Sequence, residues 1–283
     1  MLAAQYLFDL SVSGHQLARE RDIERQLDGR QPPFTTAITY DTSVPGNWTI
    51  VLDRPLTPEE QGTLRAIPVD AQFGQRVWDL LRPLGGRLLH IPVAMDPLPP
   101  GYDPFTNPWA DASATAFTMA LLSDRASQLS ILDMRPVNLS CTDPVAETVV
   151  EFPPQGEATY PGVVVDLASE NPTFLITDDA ADQGQPYFSR RRIDLGGGLE
   201  PGGLRVEALA RGQSCEWEIE ARYQDAAQNV DSVTIRNDGQ PFFAEAVPDD
   251  PEQYWRMELS PDGEPTWTPC HETPSVSTCG QGP

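Results

Sequence analysis

The chain has 283 residues, enough for one large or two modest domains, and its 39% hydrophobic and 22% charged residues suit a packed core and exclude global disorder. It carries 42 acidic residues against 19 basic ones, a net charge of −23, and every basic residue is arginine. Binding to nucleic acid or to an anionic membrane surface through phosphates needs a basic face. The arginines are scattered apart from Arg190-Arg191-Arg192, so nucleic acid is excluded as a partner and the acidity reads as solubility.

Residues 1–30 form the first segment, with a helix expected over 3–28. Leu7, Leu10, Leu17, Ile23 and Leu27 recur at loosely helical spacing, and Gly29 with Pro32 and Pro33 ends the run. The start, Met1 to Phe8, is apolar but short. It reads either as the remnant of a membrane anchor or stalk, or as an ordinary amphipathic helix. It lacks the basic n-region and full apolar h-region of a signal peptide.

Residues 31–95 read as a small α+β segment. Phe34 to Tyr40 and Trp48 to Leu52 are β-rich runs on either side of Pro45-Gly46-Asn47, which predicts a hairpin. Thr57-Pro58-Glu59-Glu60 is a capping-box start with proline at the first helical position. That helix is expected to run to about Ile67. A second is expected over 71–84, with Phe73, Val77, Leu80, Leu81 and Leu84 on one face. Gly85-Gly86 stops it, and Leu88 to Val93, with His90 as a core residue, reads as a buried strand. This segment forms its own subdomain or packs onto the later sandwich.

Residues 96–124 hold Pro97, Pro99, Pro100, Pro104 and Pro108, which predicts a linker. Tyr102, Phe105 and Trp109 argue for one lying on the surface. A short helix is expected over 110–122.

Residues 125–247 give ten short β-candidates, mostly 8 to 15 residues apart, the rhythm of an antiparallel immunoglobulin-like β-sandwich. Cys215 to Tyr223 alternates cleanly. Cys215, Trp217, Ile219, Ala221 and Tyr223 face a core, while Glu216, Glu218, Glu220 and Arg222 face water. Residues 248–283 form an acidic tail in which Tyr254 to Leu259 adds a strand. The fold class is therefore α+β: an N-terminal helix, a small α+β segment, then the sandwich.

The four cysteines make two pairs, Cys141 with Cys215 and Cys270 with Cys279, and none forms the C-x-x-C spacing of a zinc or redox site. Paired, they place the protein in an oxidising, extracytoplasmic compartment; the alternative is four free thiols in a cytoplasmic protein. The first pair would close a loop of roughly 75 residues, a constraint of about 4 kcal/mol.

Catalytic fingerprints are missing: no G-x-S-x-G, H-E-x-x-H, Walker A or G-x-G-x-x-G occurs. Gly196-Gly197-Gly198 lacks the lysine and helix of a phosphate cradle and reads as a turn. His15, His90 and His271 lie in three separate segments. Asp178, Asp179 and Asp182 offer hard oxygens for Ca²⁺, yet their spacing is not that of an EF-hand loop, and a solvated turn is the favoured reading. Asn47-Trp48-Thr49 and Asn138-Leu139-Ser140 read as chance sequons. No metal, cofactor or catalytic residue is assigned.

The absence of lysine beside abundant Ala, Arg, Gly, Pro and Asp points to a high-GC genome. The apolar start with its charged helix, Thr57-Pro58-Glu59-Glu60, and Cys141 with Ser214-Cys215-Glu216-Trp217 resemble the exported part of membrane-anchored or secreted proteins from high-GC Gram-positive bacteria. That resemblance implies no activity. The expected function is a non-enzymatic extracytoplasmic structural or partner-binding module, with an unknown protein or cell-envelope partner and membrane contact only through an N-terminal anchor. The alternatives are a glycosidase-like hydrolase using paired carboxylates and a cytoplasmic accessory or regulatory protein.

Overall fold

The computed structural model describes residues 28, 31–40, 48–68, 72–90, 113–152, 162–177, 181–259, 265–273 and 279. The helix expected over 3–28, apart from Asp28, lies outside them, as do the Pro45-Gly46-Asn47 turn and the Pro97 to Trp109 segment.

Fifteen strands build two sheets. In chain order they are β1 (Thr35–Tyr40), β2 (Trp48–Leu52), β3 (Arg87–His90), β4 (Ala114–Leu122), β5 (Leu129–Thr142), β6 (Thr148–Phe152), β7 (Gly162–Asp166) and β8 (Leu175–Ile176). The rest are β9 (Ile193–Leu195), β10 (Gly202–Leu209), β11 (Ser214–Asp225), β12 (Val230–Ile235), β13 (Phe242–Ala244), β14 (Gln253–Leu259) and β15 (Pro265–Pro269). Three short helices join them: α1 (Pro58–Arg65), α2 (Phe73–Leu81) and α3 (Tyr187–Arg190).

The larger sheet runs β15-β14-β6-β2-β3-β4-β10-β7-β8, with β1 also paired to β4. The smaller runs β12-β11-β5-β9, with β13 on the β12 flank of β11. The fold is thus a β-rich α+β arrangement. The β10–β7 and β14–β6 pairs are parallel, so the larger sheet is mixed, and its order is not that of an immunoglobulin sandwich.

The five segments read from the sequence do not coincide with the sheets. Strands from residues 31–95, 125–247 and the tail hydrogen-bond within one sheet. The hairpin expected between the first two strands is not formed. β1 pairs β4, whereas β2 pairs β3 and β6. Burial explains the divergence. β1 alternates between exposed and half-buried, as a strand at a rim does. β2 is buried at all five positions and needs a neighbour on each side and cover on both faces.

The short helix expected near 110–122 is instead β4. Phe117, Met119 and Leu121 alternate into the core, and pairing with β1 on one flank and β10 on the other overrides alanine's helical preference. Leu129 to Met134 and Val137 to Cys141, expected as separate strands, are one strand with register shifts. Pro186 to Leu195, expected as a strand, begins as α3 and becomes extended at β9. The acidic tail is largely framework, since Trp255 of β14 is fully buried.

Two cores result. In the first, sheet packs on sheet: Phe117, Met119, Val163 and Val206 of the larger meet Ile131, Trp217, Ile219 and Phe242 of the smaller. In the second, α1 and α2 cover the β2-β6-β14-β15 half, with Leu64, Val77 and Leu81 against Trp48, Ile50, Val150 and Trp255. The capping box of α1 is present in full. Thr57 Oγ1 accepts from the Glu60 N–H, and Glu60 accepts from the Thr57 N–H at 2.8 Å. Gly85 ends the α2 region in the left-handed conformation, φ 92°.

Gly196-Gly197-Gly198 is the crossover from the smaller sheet (β9) to the larger (β10). All three take positive φ. A Cβ on Gly196 would sit 2.5 Å from the Ser127 carbonyl oxygen, so the run is a turn that only glycine fits.

Candidate functional site

The residues singled out from the sequence fall in different places. Cys141 and Cys215 are disulfide-bonded, with Cα atoms 4.1 Å apart, and face each other in the β5–β11 register. The bond therefore links adjacent strands of one sheet, unlike the inter-sheet bridge of an immunoglobulin domain. Cys270 and Cys279 form the second disulfide, Cα atoms 5.2 Å apart, beneath β14, where the Cys270 N–H donates to the Tyr254 carbonyl at 2.8 Å. No described cysteine is free. Two such bonds indicate an oxidising, extracytoplasmic environment. Among the described residues, no helix is long and apolar enough to cross a membrane.

Of the Ca²⁺ candidates, Asp178 and Asp179 lie outside the described residues. Asp182 lies in a turn, its backbone carbonyl accepting from the Gln185 N–H at 3.0 Å. Among the described residues, no group of three or more His, Cys, Asp or Glu is placed to hold a metal ion. His90 is buried in β3, opposite Trp48. His271 packs edge-on against Trp255 at 5.3 Å, with Nδ1 3.3 Å from the Tyr254 nitrogen. His15 lies outside the described residues.

The outer face of the smaller sheet carries the alternation read from Cys215 to Tyr223. Glu218 is the exception to its wet side, being 6% exposed. Its carboxylate receives Arg236 Nε at 2.5 Å and Asn138 Nδ2 at 2.7 Å. Arg236 first, then Asn138, hold its pKa below the usual carboxylate range. Asn138 reaches it because the β5 register shifts opposite Glu216 and Glu218, and Asn138 takes φ 53° there. A bulge of this kind re-aims a side chain.

Two charged clusters are internal. Arg87 holds Asp53 through Nη1 at 2.9 Å and Nη2 at 2.6 Å, and Glu245 through Nε at 2.5 Å and Nη2 at 3.1 Å. Burial raises the Glu245 pKa, and Arg87 pulls it back only in part. Burial alone would lower the Arg87 pKa, but hydrogen bonds from Asp53 and Glu245 outweigh it and leave it raised. In the second cluster the Tyr254 hydroxyl donates to Glu151. Burial first, then the Glu151 charge, pushes that phenol well above its usual value. Both clusters tie strands together.

A surface recess of about 240 Å³ opens where β5 passes the loop from β8 to β9. Met134 and Phe174, both nearly inaccessible to solvent, belong to its lining with Leu132 and Phe188. Asp133, Ser189 and Arg222 supply polar groups. It holds one carboxyl group, Asp133, so it is not the paired-carboxylate cleft of a glycosidase. The sequence reading missed this place because its residues come from β5, β11 and the α3 region, which only the fold brings together. The one signal it gave was the clustering of Arg190-Arg191-Arg192 directly after Ser189.

Neither a protein-family model nor any curated protein matches this sequence.

Proposed function

We propose that the chain is a non-enzymatic extracytoplasmic module that binds a protein or cell-envelope partner. Two packed sheets form the body. They are immunoglobulin-like in laying sheet on sheet, though not in strand order. In this reading the N-terminal segment anchors or tethers the module at a membrane, and the source is a high-GC bacterium. The observation that carries the proposal is the disulfide pairing of all four cysteines, since bonds of this kind persist where thiols are not kept reduced. The surface recess supports the binding half. Its floor is apolar and its rim charged, the composition of an anchoring pocket in a protein interface.

The test is intact mass of the protein from its native cells, before and after reduction, coupled to cross-linking in those cells. A gain of four hydrogens on reduction, two per disulfide, together with a discrete cross-linked partner, is expected. Four free thiols would overturn the compartment, and a chain that cross-links to nothing would overturn the binding role.

A further inference from the structure

The recess has a specific chemistry, and its use as a docking site rests on the partner-binding role of the module. Its volume of about 240 Å³ is below the roughly 300–1,000 Å³ typical of small-molecule sites. It is closer to the pocket that receives one large side chain of a partner. The lining is apolar at Leu132, Met134, Phe174 and Phe188, so the inserted group is apolar.

The charge around it runs against the rest of the molecule. In a chain of net charge −23, α3 forms one wall and leads directly into Arg190, Arg191 and Arg192, while Arg222 lines the opening from β11. These guanidinia differ in how they are engaged. Arg191 lies over the Tyr187 ring at 5.6 Å. Arg192 pairs with Asp194, Nε to Oδ1 3.3 Å. Arg190 and Arg222 are exposed, and neither takes part in an ion pair or side-chain hydrogen bond among the described residues. The counter-charge in the lining is Asp133, which faces Arg222 in the β5–β11 register. Two solvated guanidinia against one carboxylate leave the rim cationic.

We infer that the recess docks an acidic peptide segment of a partner protein, one apolar side chain entering the pocket and neighbouring carboxylates meeting Arg190 and Arg222. Charge complementarity sets the occupant. A basic segment would be repelled at this rim although the molecule as a whole would attract it. A second copy of this chain would bring another −23 with it. At about 0.15 M salt the screening length is about 8 Å, which mutes the distant acidic residues and leaves the local guanidinia in control.

The probes are the capped peptides acetyl-Phe-Glu-Glu-amide and acetyl-Phe-Gln-Gln-amide, titrated into the intact oxidised protein while backbone amide NMR shifts are followed. The acidic peptide is expected to shift amides from Thr173 to Ser189 and to bind roughly fivefold more tightly than the neutral one, as two rim ion pairs allow. R190Q with R222Q should abolish that difference, while F188A should weaken both peptides. Both substitutions fall on half-buried or exposed side chains, and unchanged thermal unfolding verifies that the variants fold. Equal affinity for the two peptides, shifts elsewhere than the recess, or no shift at all would overturn the inference. So would inorganic phosphate displacing the acidic peptide at equal concentration, or tighter binding of anionic lipid vesicles than of peptide. A silent recess in a protein with both disulfides intact and a cross-linked partner sinks this inference alone; four free thiols sink the compartment reading and leave the titration standing.

Discussion

The two halves of the larger sheet solve one problem in different ways. The β4-β10-β7 half buries its inner face against a second sheet, with an apolar interface of Phe117, Val163, Val206, Trp217 and Phe242. The β2-β6-β14 half buries one face under two short helices and carries ionised groups around its other contacts: Glu151 beneath Tyr254, and Arg87 between Asp53 and Glu245. The first half is held by area removed from water, which is non-directional. The second depends also on charged groups whose partners must all stay in place. The first should therefore fail through cavities and the second through orphaned charges.

The largest expected effect tests the apolar half. Trp217 is fully buried and packs on Phe242 at 5.2 Å, Phe117 at 6.3 Å and Phe174 at 6.3 Å. Trp217→Ala should cost about 4 kcal/mol in chemical denaturation, with little dependence on pH. A loss below about 1 kcal/mol would show that the two sheets do not share this core.

Arg87→Ala tests the charged half. Glu245, 2% exposed, would be left beside Asp53 without its cation. The expected loss is about 3 kcal/mol at neutral pH, the lower end for breaking a buried pair because Arg87 is itself one-third exposed. The sign with pH is definite. The folded-state pKa of Glu245 is already raised above its ordinary 4.5 and would rise further in the variant. A raised carboxyl contributes stability below its unfolded value and loses it as pH rises through the folded value. The deficit of Arg87→Ala should shrink on acidification, and a pH-independent deficit would mean that Arg87 acts through packing alone.

Two smaller changes probe the same half. Tyr254→Phe removes the donor to Glu151, with an expected cost of about 1 kcal/mol. Thr57→Ala removes the cap of α1, again about 1 kcal/mol. Because Leu64 of α1 is fully buried against the second core, uncapping should loosen that half first, read as faster amide exchange in β2 and β14 than in β11.

Legibility in the sequence divides along the same line. The alternation of Cys215 to Tyr223 placed the apolar core residues of β11, because one face is wet and the period of two shows. The capping box of α1 is a local signal and was readable as such. β2, buried on both faces, carries no alternation to report its neighbours, and its partners β6 and β14 come from about 100 and 200 residues away. β4 looked helical because alanine and leucine dominate it, and only pairing on both flanks makes it a strand. The recess was least legible, since its register shift in β5, its short helix and Arg222 have no joint signature along the chain.

The smallest expected effect contrasts two carboxylates of opposite sign. Glu60 is held at about 2, first by the hydrogen bond from Arg54 and then by Thr57. Arg54 Nη2 and Nη1 meet its two oxygens at 2.7 and 2.9 Å. A lowered carboxyl contributes stability that is present above its unfolded value, here 4.5, and lost as pH falls towards about 2. Glu245 does the reverse. Between pH 4.5 and 2, then, Glu60→Gln should flatten the acid loss of stability, while Glu245→Gln should steepen it by removing a group whose protonation favours the fold. The pair with Arg54 is near the surface, so the Glu60→Gln change should stay within about 1 kcal/mol and diminish in high salt. Parallel acid limbs for the two variants would show that the charged half holds its groups no differently from a solvated surface.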